Sequence, residues 1–215
     1  MDVASAQKGP ERLLPVEIDG QYGFIDVSGN LVVGADFDFA WGFREGLAPA
    51  WRGGRAGYID ESGNFVIGPQ FQYATAFSEG LAGVELDGKW GYVNNRGIFV
   101  IPPRYLQAQA FSEGLAAVQT DAGLWGFVDK NGTEVITPQY TLAWAFGERV
   151  AAVYHEKTCG FIDTNGIVVV PFRFNECVGM KEGIGTVRVG KRWGFINASG
   201  VFLITPRFEE VGLFF

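Results

Sequence analysis

Short apolar runs separated by polar, glycine-rich turns recur along the chain from Leu13 to its end. The stretch Phe77 to Tyr105, FSEGLAGVELDGKWGYVNNRGIFVIPPRY, carries the pattern most cleanly. Its three apolar runs of strand length are separated by two turn signals, which predicts a small antiparallel meander. In the middle run an aromatic is followed at once by a β-branched residue: Phe24-Ile25, Tyr58-Ile59, Tyr92-Val93, Phe127-Val128, Phe161-Ile162 and Phe195-Ile196. Neighbouring strand residues point to opposite faces, so this middle strand is expected to be covered on both sides.

The glycine before each of those pairs fixes the period. Gly23, Gly57, Gly91, Gly126, Gly160 and Gly194 are spaced by 34, 34, 35, 34 and 34 residues, giving six copies of one unit. A fixed period of this length, in units too small to bury their own faces, is the signature of a repeat architecture. Other columns keep the same register. Ala48, Ala82, Ala116, Ala151 and Gly185 keep the first strand small, and Asp26, Asp60, Asn94, Asp129, Asp163 and Asn197 precede a turn glycine by three residues. Such Asp and Asn side chains cap turns, and glycine accepts positive φ.

Pro69, Pro103, Pro138 and Pro206 are expected to end the third strand, since proline lacks the ladder donor. Beyond them, Phe71, Ala74 and Phe77, with their counterparts in the other units, lie three residues apart and predict a helical turn, 3₁₀ in type, between units. The fold expected is therefore all-β: six tandem three-stranded antiparallel β-meander repeats of about 34 residues in an open superhelix or solenoid. The alternative is a closed, propeller-like toroid of six units, in which Leu13 to Ile18 fills the vacant place beside the sixth. Residues 1–12 read as a loose N-terminal tail, and residues 13–215 as a single repeat domain.

These residues resemble the WG repeat family of bacterial proteins. The Trp-Gly pair stands at Trp90-Gly91, Trp125-Gly126 and Trp193-Gly194, in register with the Asp/Asn-to-Gly turn, Ile-Pro-Pro and Phe-Ser-Glu-Gly-Leu-Ala. Tyr22, Ala56 and Cys159 depart from the Trp column. The resemblance implies an all-β repeat module without catalytic residues, often fused to other domains or exported.

A longer periodicity overlies the first. Trp41 and Trp144, Trp51 and Tyr154, and Ala56 and Cys159 are each 103 residues apart, which suggests a block of three units used twice.

Composition narrows the function classes. Apolar residues make up 47% of the 215, charged residues 19%, and the 31 glycines suit frequent tight turns. A net charge of −7 removes the basic stripe that nucleic-acid binding relies on. No apolar run is long enough to span a bilayer as a helix, so no membrane insertion is expected. Ala4-Ser5-Ala6 has the small-x-small look of a signal-peptidase site without an apolar region before it, which leaves the compartment open between cytoplasm and export.

Candidate chemistry is sparse. His155 is the only histidine, which leaves little for a His-based metal site or a Ser/His/Asp triad. Cys159 and Cys177 read as buried thiols, with a disulfide between them left open. The column Glu45, Glu79, Glu113, Glu148 and Glu182 is expected to bond to adjacent loop backbone rather than to hold a cation. No enzyme activity, cofactor or metal is expected.

Binding candidates come from departures within the repeat. Trp41, Trp51, Trp144 and Tyr154 stand in columns where other units carry polar residues, so some are expected at the surface as anchors. The reading is a non-catalytic scaffold for protein–protein interaction; the alternative is a module that binds carbohydrate or cell envelope through those aromatics.

Overall fold

The computed structural model describes residues 13–212, and the expected tail lies outside them. The described residues form six antiparallel sheets in sequence order, with no helix among them. Sheet 1 has three strands, Leu14–Ile18, Gln21–Ile25 and Leu31–Phe37. Sheet 2 has four, Phe39–Ala40, Ala48–Arg52, Arg55–Ile59 and Phe65–Phe71. Sheets 3 to 6 repeat that four-stranded order, opening at Tyr73–Ala74, Gln107–Ala108, Leu142–Ala143 and Glu176–Lys181 and ending with the strands Phe99–Tyr105, Glu134–Tyr140, Val168–Phe174 and Phe202–Phe208.

The expected helical turn is therefore a strand. After the last strand of one sheet the chain enters the next as a short strand, two residues long in sheets 2 to 5, where Phe39 pairs with Trp51 and Ala40 with Ala50. A spacing of three between apolar residues fits a helical turn and also an extended residue flanked by bends. Here the backbone donors of Asp38 and Trp41 bond the carbonyls of Trp51 and Pro49, which holds the segment extended.

The proline expectation is also corrected. Prolines do not end the outer strand; they sit within a bulge of it, which sheet 1 also makes without proline at Gly34-Ala35-Asp36. Trp90 pairs with Tyr105 and Tyr92 with Ile101, so Gly91 faces three residues, Pro102, Pro103 and Arg104. Bulges tolerate a missing donor, and only glycine leaves space for the bulged backbone. A second bulge follows between Tyr92 and Val93, leaving Val100 exposed.

Turn chemistry follows the sequence closely. Asp60 Oδ1 accepts from the amides of Ser62 (3.0 Å) and Asn64 (2.9 Å). Glu45-Gly46 closes a two-residue turn with both φ positive, at 53° and 80°, and Arg44 and Leu47 exchange both backbone bonds across it.

No sheet has a core of its own. Each of five apolar clusters joins two adjacent sheets, as when Tyr58, Ile67 and Phe71 of sheet 2 meet Ala74, Phe77, Ala82 and Val93 of sheet 3. The aromatic in each middle strand points to the following sheet and its β-branched neighbour to the preceding one. Tyr58 and Ile59 are accordingly both fully buried. The small column is explained here too, since Ala48 packs among Phe24, Val33 and Phe37 of sheet 1.

Candidate interaction surface

Adjacent sheets are linked by polar contacts as well as apolar ones. Glu45 Oε2 accepts from the amide of Gly80 in the next sheet's loop (2.9 Å), Glu79 from Gly114 (3.0 Å), Glu113 from Arg149 (2.8 Å) and Glu148 from Gly183 (2.7 Å). Ser78 and Ser112 donate to the Phe111 and Phe146 carbonyls, 2.7 Å in both cases. The glutamate column thus ties loop to loop. Burial works against ionisation of Glu79, but hydrogen bonds from Lys130 and the Gly114 amide prevail and hold its carboxyl below the usual range.

Tyr58 and Tyr92 reach into the next unit, their hydroxyls donating to the carbonyls of Thr75 (2.8 Å) and Gln109 (2.6 Å). Burial pushes both phenols far above their ordinary value. Cys159 and Cys177 form a disulfide between sheets 5 and 6, taking the place of a Trp and an Ala in the repeat.

The four aromatic candidates fall in different settings. Trp41 and Trp144 are 47% and 45% exposed, at equivalent places beside the entering strands of sheets 2 and 5. Trp51 is only 9% exposed, between Phe39 and Tyr73. Tyr154 is half-buried, its hydroxyl accepting from the Cys177 amide at 3.1 Å, so it joins sheets 5 and 6.

The structure brings Trp41 and Trp51 into a larger aromatic group that column reading missed. Ring centroids run from Tyr22 to Phe39 (4.9 Å), Phe39 to Trp51 (5.4 Å), Trp51 to Tyr73 (5.6 Å) and Tyr73 to Trp90 (5.8 Å), with Trp41 branching from Phe39 at 6.2 Å. Tilted and edge-to-face contacts at these distances are favourable for aromatic quadrupoles. The strip crosses sheets 1 to 3 and leaves Phe39, Trp41 and Tyr73 exposed. Two of its missed members, Phe39 and Tyr73, open the entering strands, where later units carry Gln107, Leu142 and Glu176. That aromatic-to-other shift along the column was the available signal.

Ionisable groups do not converge in this way. Among the described residues no three His, Cys, Asp or Glu side chains are grouped to hold a metal, and none of the buried side chains is charged. His155 is exposed beside a hairpin turn, its ring 5.7 Å from that of Phe172. Among the described residues, no helix is long and apolar enough to cross a membrane.

The fold and these inter-sheet contacts define a tandem β-repeat protein. The family profile of the WG containing repeat matches six consecutive segments, residues 22–51, 57–90, 90–122, 125–157, 160–193 and 193–215, and the chain belongs to that family. No curated protein sequence matches it. Among solved structures, BamB from Moraxella catarrhalis is similar over 91% of this chain and 69% of its own, at 11% identity and a TM-score of 0.55. Hsv2 from Kluyveromyces lactis is similar over 87% of this chain and 70% of its own, at 11% identity and a TM-score of 0.56. A eukaryotic initiation factor reaches a TM-score of 0.60 at 13% identity, over 91% of this chain and 63% of its own. The first two are β-propeller-like proteins, and the likeness is one of fold.

Proposed function

We propose that the chain is a non-catalytic scaffold that binds a protein partner through the aromatic strip of sheets 1 to 3. The supporting observation is the set of exposed rings, Phe39, Trp41 and Tyr73, on a rigid underlayer of Trp51. Large aromatics held in place by their neighbours lose little rotamer freedom on binding and are the usual anchors of protein interfaces. Folded-domain and peptide arrays probed with the chain test this. Binding to a defined set of proteins should weaken at least about tenfold, or 1.4 kcal/mol, in a Trp41→Ala/Tyr73→Ala variant. Unchanged binding in that variant removes the strip from the reading.

A glycan reading rests on the exposed indoles of Trp41 and Trp144, whose flat faces suit the apolar face of a sugar. A glycan array separates the two. Glycan binding that is lost in Trp41→Ala, with no protein captured, would replace the protein reading.

We further propose that the six sheets form an open, propeller-like array. Sheet 1 exposes Leu14 and Leu31 on the side away from sheet 2, and sheet 6 exposes Ile184 on the side away from sheet 5. A solution-scattering profile of an open arc, distinct from that of a closed disc, is the expected outcome.

A further inference from the structure

The two ends of the array carry the two halves of the interface that recurs between its sheets. Sheets 1 to 5 each offer the following sheet an aromatic from the middle strand, then Val or Ile and an aromatic from the outer strand. In sheets 1 to 5 these are buried, as with Phe161, Val170 and Phe174. Their counterparts in sheet 6, Phe195, Ile204 and Phe208, are half-exposed. Ile184 is 44% exposed where Leu47, Leu81 and Leu115 are buried. An open groove of about 560 Å³ runs along this face, lined by Val178, Thr186, Phe195 and Ile204.

Sheet 1 presents the other half. Leu14, Ile25 and Leu31 occupy the places of Ala48, Ile59 and Phe65, which pack against the preceding sheet. The turn glycine is the sharpest marker. A Cβ added at Gly63, Gly97, Gly132, Gly166 or Gly200 would meet Val33, Ile67, Ile101, Ile136 or Val170 of the preceding sheet at 2.6 to 3.3 Å. A Cβ at Gly29 meets nothing within 4 Å, and Ile204 is left without a glycine.

A polar partner is in place as well. Arg104 and Arg173, lying over Tyr105 and Phe174, donate to the carbonyls of Gly132 (2.7 Å) and Gly200 (2.6 Å) in the next sheet. Arg207 lies over Phe208 at 5.1 Å in the same pose, ready for the carbonyl of Gly29.

The strand count completes the match. Among the described residues sheet 1 has three strands, and no entering strand pairs with its edge, Leu14–Ile18, as one does at this edge in the other five sheets. Past sheet 6, Glu210-Val211 is in register with Phe39-Ala40 and Tyr73-Ala74 but pairs with no strand among the described residues. An unpaired edge beside an orphan strand segment of matching register is a template for strand addition.

We propose that copies of this chain associate head to tail, sheet 6 of one docking on sheet 1 of the next. Glu210-Val211 supplies the missing fourth strand, Val211 opposite Val16 as Ala40 lies opposite Ala50. The interface is heterologous, so successive copies close into a ring where the rotation between them closes and extend as an open filament where it does not. The proposal rests on the array being open.

Single Val16→Cys and Val211→Cys variants test it when mixed in equal amounts under oxidising conditions. The expected product is a covalent heterodimer linking residue 16 of one copy to residue 211 of another, identified by peptide mass. Sedimentation of the unmodified chain from about 1 to 100 μM should show mass rising with concentration, as for a micromolar dissociation constant. The surface variant Ile204→Asp should hold it monomeric. If the doubly substituted chain instead forms an internal crosslink and remains a monomer, the array is closed and both readings fall. A chain that forms neither crosslink and stays monomeric at 100 μM retains the open array but refutes association.

Discussion

Gly91 faces the carbonyl of Ile101 so closely that a Cβ placed on it would stand 2.5 Å from that oxygen and 2.7 Å from the nitrogen of Pro103. The same approach recurs at Gly57, Gly126, Gly160 and Gly194, which explains why the glycine outlasts the tryptophan before it in the repeat. Both obstructing atoms are backbone atoms in a bulged strand and cannot rotate away. Gly91→Ala is therefore expected to cost about 3 kcal/mol, the upper part of the overpacking range. A denaturant midpoint unchanged from the parent would overturn the account of the bulge.

The Cys159–Cys177 bond joins sheets 5 and 6 across 18 residues. Closing a loop of that length in the unfolded chain is worth about 3 kcal/mol in the chain-entropy model. A Cys159→Ala/Cys177→Ala variant should lose roughly that much, with the added cost of a small cavity. Amide exchange should quicken mainly in Glu176–Lys181 and the strands paired to it.

Alkaline behaviour follows from Tyr58 and Tyr92. Burial raises both phenols above their ordinary value of 10.0, with the charge of Tyr105 adding to the effect at Tyr92. A folded-state value raised in this way gives stability that is complete below 10 and declines as pH climbs towards the folded-state value. Both phenols should therefore ionise only with unfolding, seen as tyrosinate absorbance rising together with loss of circular dichroism. Tyr58→Phe, which removes the bond to the Thr75 carbonyl, should cost about 1 kcal/mol.

Acid behaviour has the opposite sign. The Asp129 carboxyl is lowered first by its bond from the Thr133 amide and then by that from Asn131; Asp163 is lowered first by the Ile167 amide. Depressed carboxylates contribute stability above their ordinary value of 3.8, and that contribution fades as pH falls through the lower folded-state value. The carboxyl chemical shifts of Asp129 and Asp163 should titrate below the ordinary value of 3.8. A normal midpoint at Asp129 would show that the turn bonds are not kept in solution.

Lys130 bridges to Glu79 at 3.1 Å, in a contact that belongs to one interface of the array and is not repeated along it. Lys130→Met should raise the Glu79 midpoint, because the hydrogen bond and the charge of Lys130 both lower it and both are lost. The change in stability should stay below about 1 kcal/mol, because both groups are partly solvated.

Much of this was legible in the chain. The spacing of six glycines gave the number of units, and the paired aromatic and β-branched residues gave a middle strand covered on both sides. Asp60 and its equivalents identified their turns, because an Asx side chain bonds amides two and four residues away whatever surrounds it. The glutamate column was legible as a backbone acceptor. The loop it reaches was not, since Glu45 bonds a residue 35 positions on.

Other features were hidden for a common reason. The entering strand looks like a helical turn because Phe39-Ala40 becomes a strand only through its partners Trp51 and Ala50, which follow later in the chain. The bulge at Pro102-Pro103 reads as a strand end until Gly91 is placed opposite it. The aromatic strip draws Tyr22, Phe39, Trp51, Tyr73 and Trp90 from three sheets, and no local window contains them together.

The sequence by itself determined the repeat, its antiparallel strands and its turns, because side-chain alternation, glycine φ and Asx bonding act within a few residues. Tertiary structure alone decided which face of each sheet meets which neighbour, that Cys159 pairs with Cys177, and that Trp41 is exposed while Trp51 is covered. Those outcomes depend on how one unit sits against the next, and a period in sequence carries the distance between units along the chain but not their orientation in space.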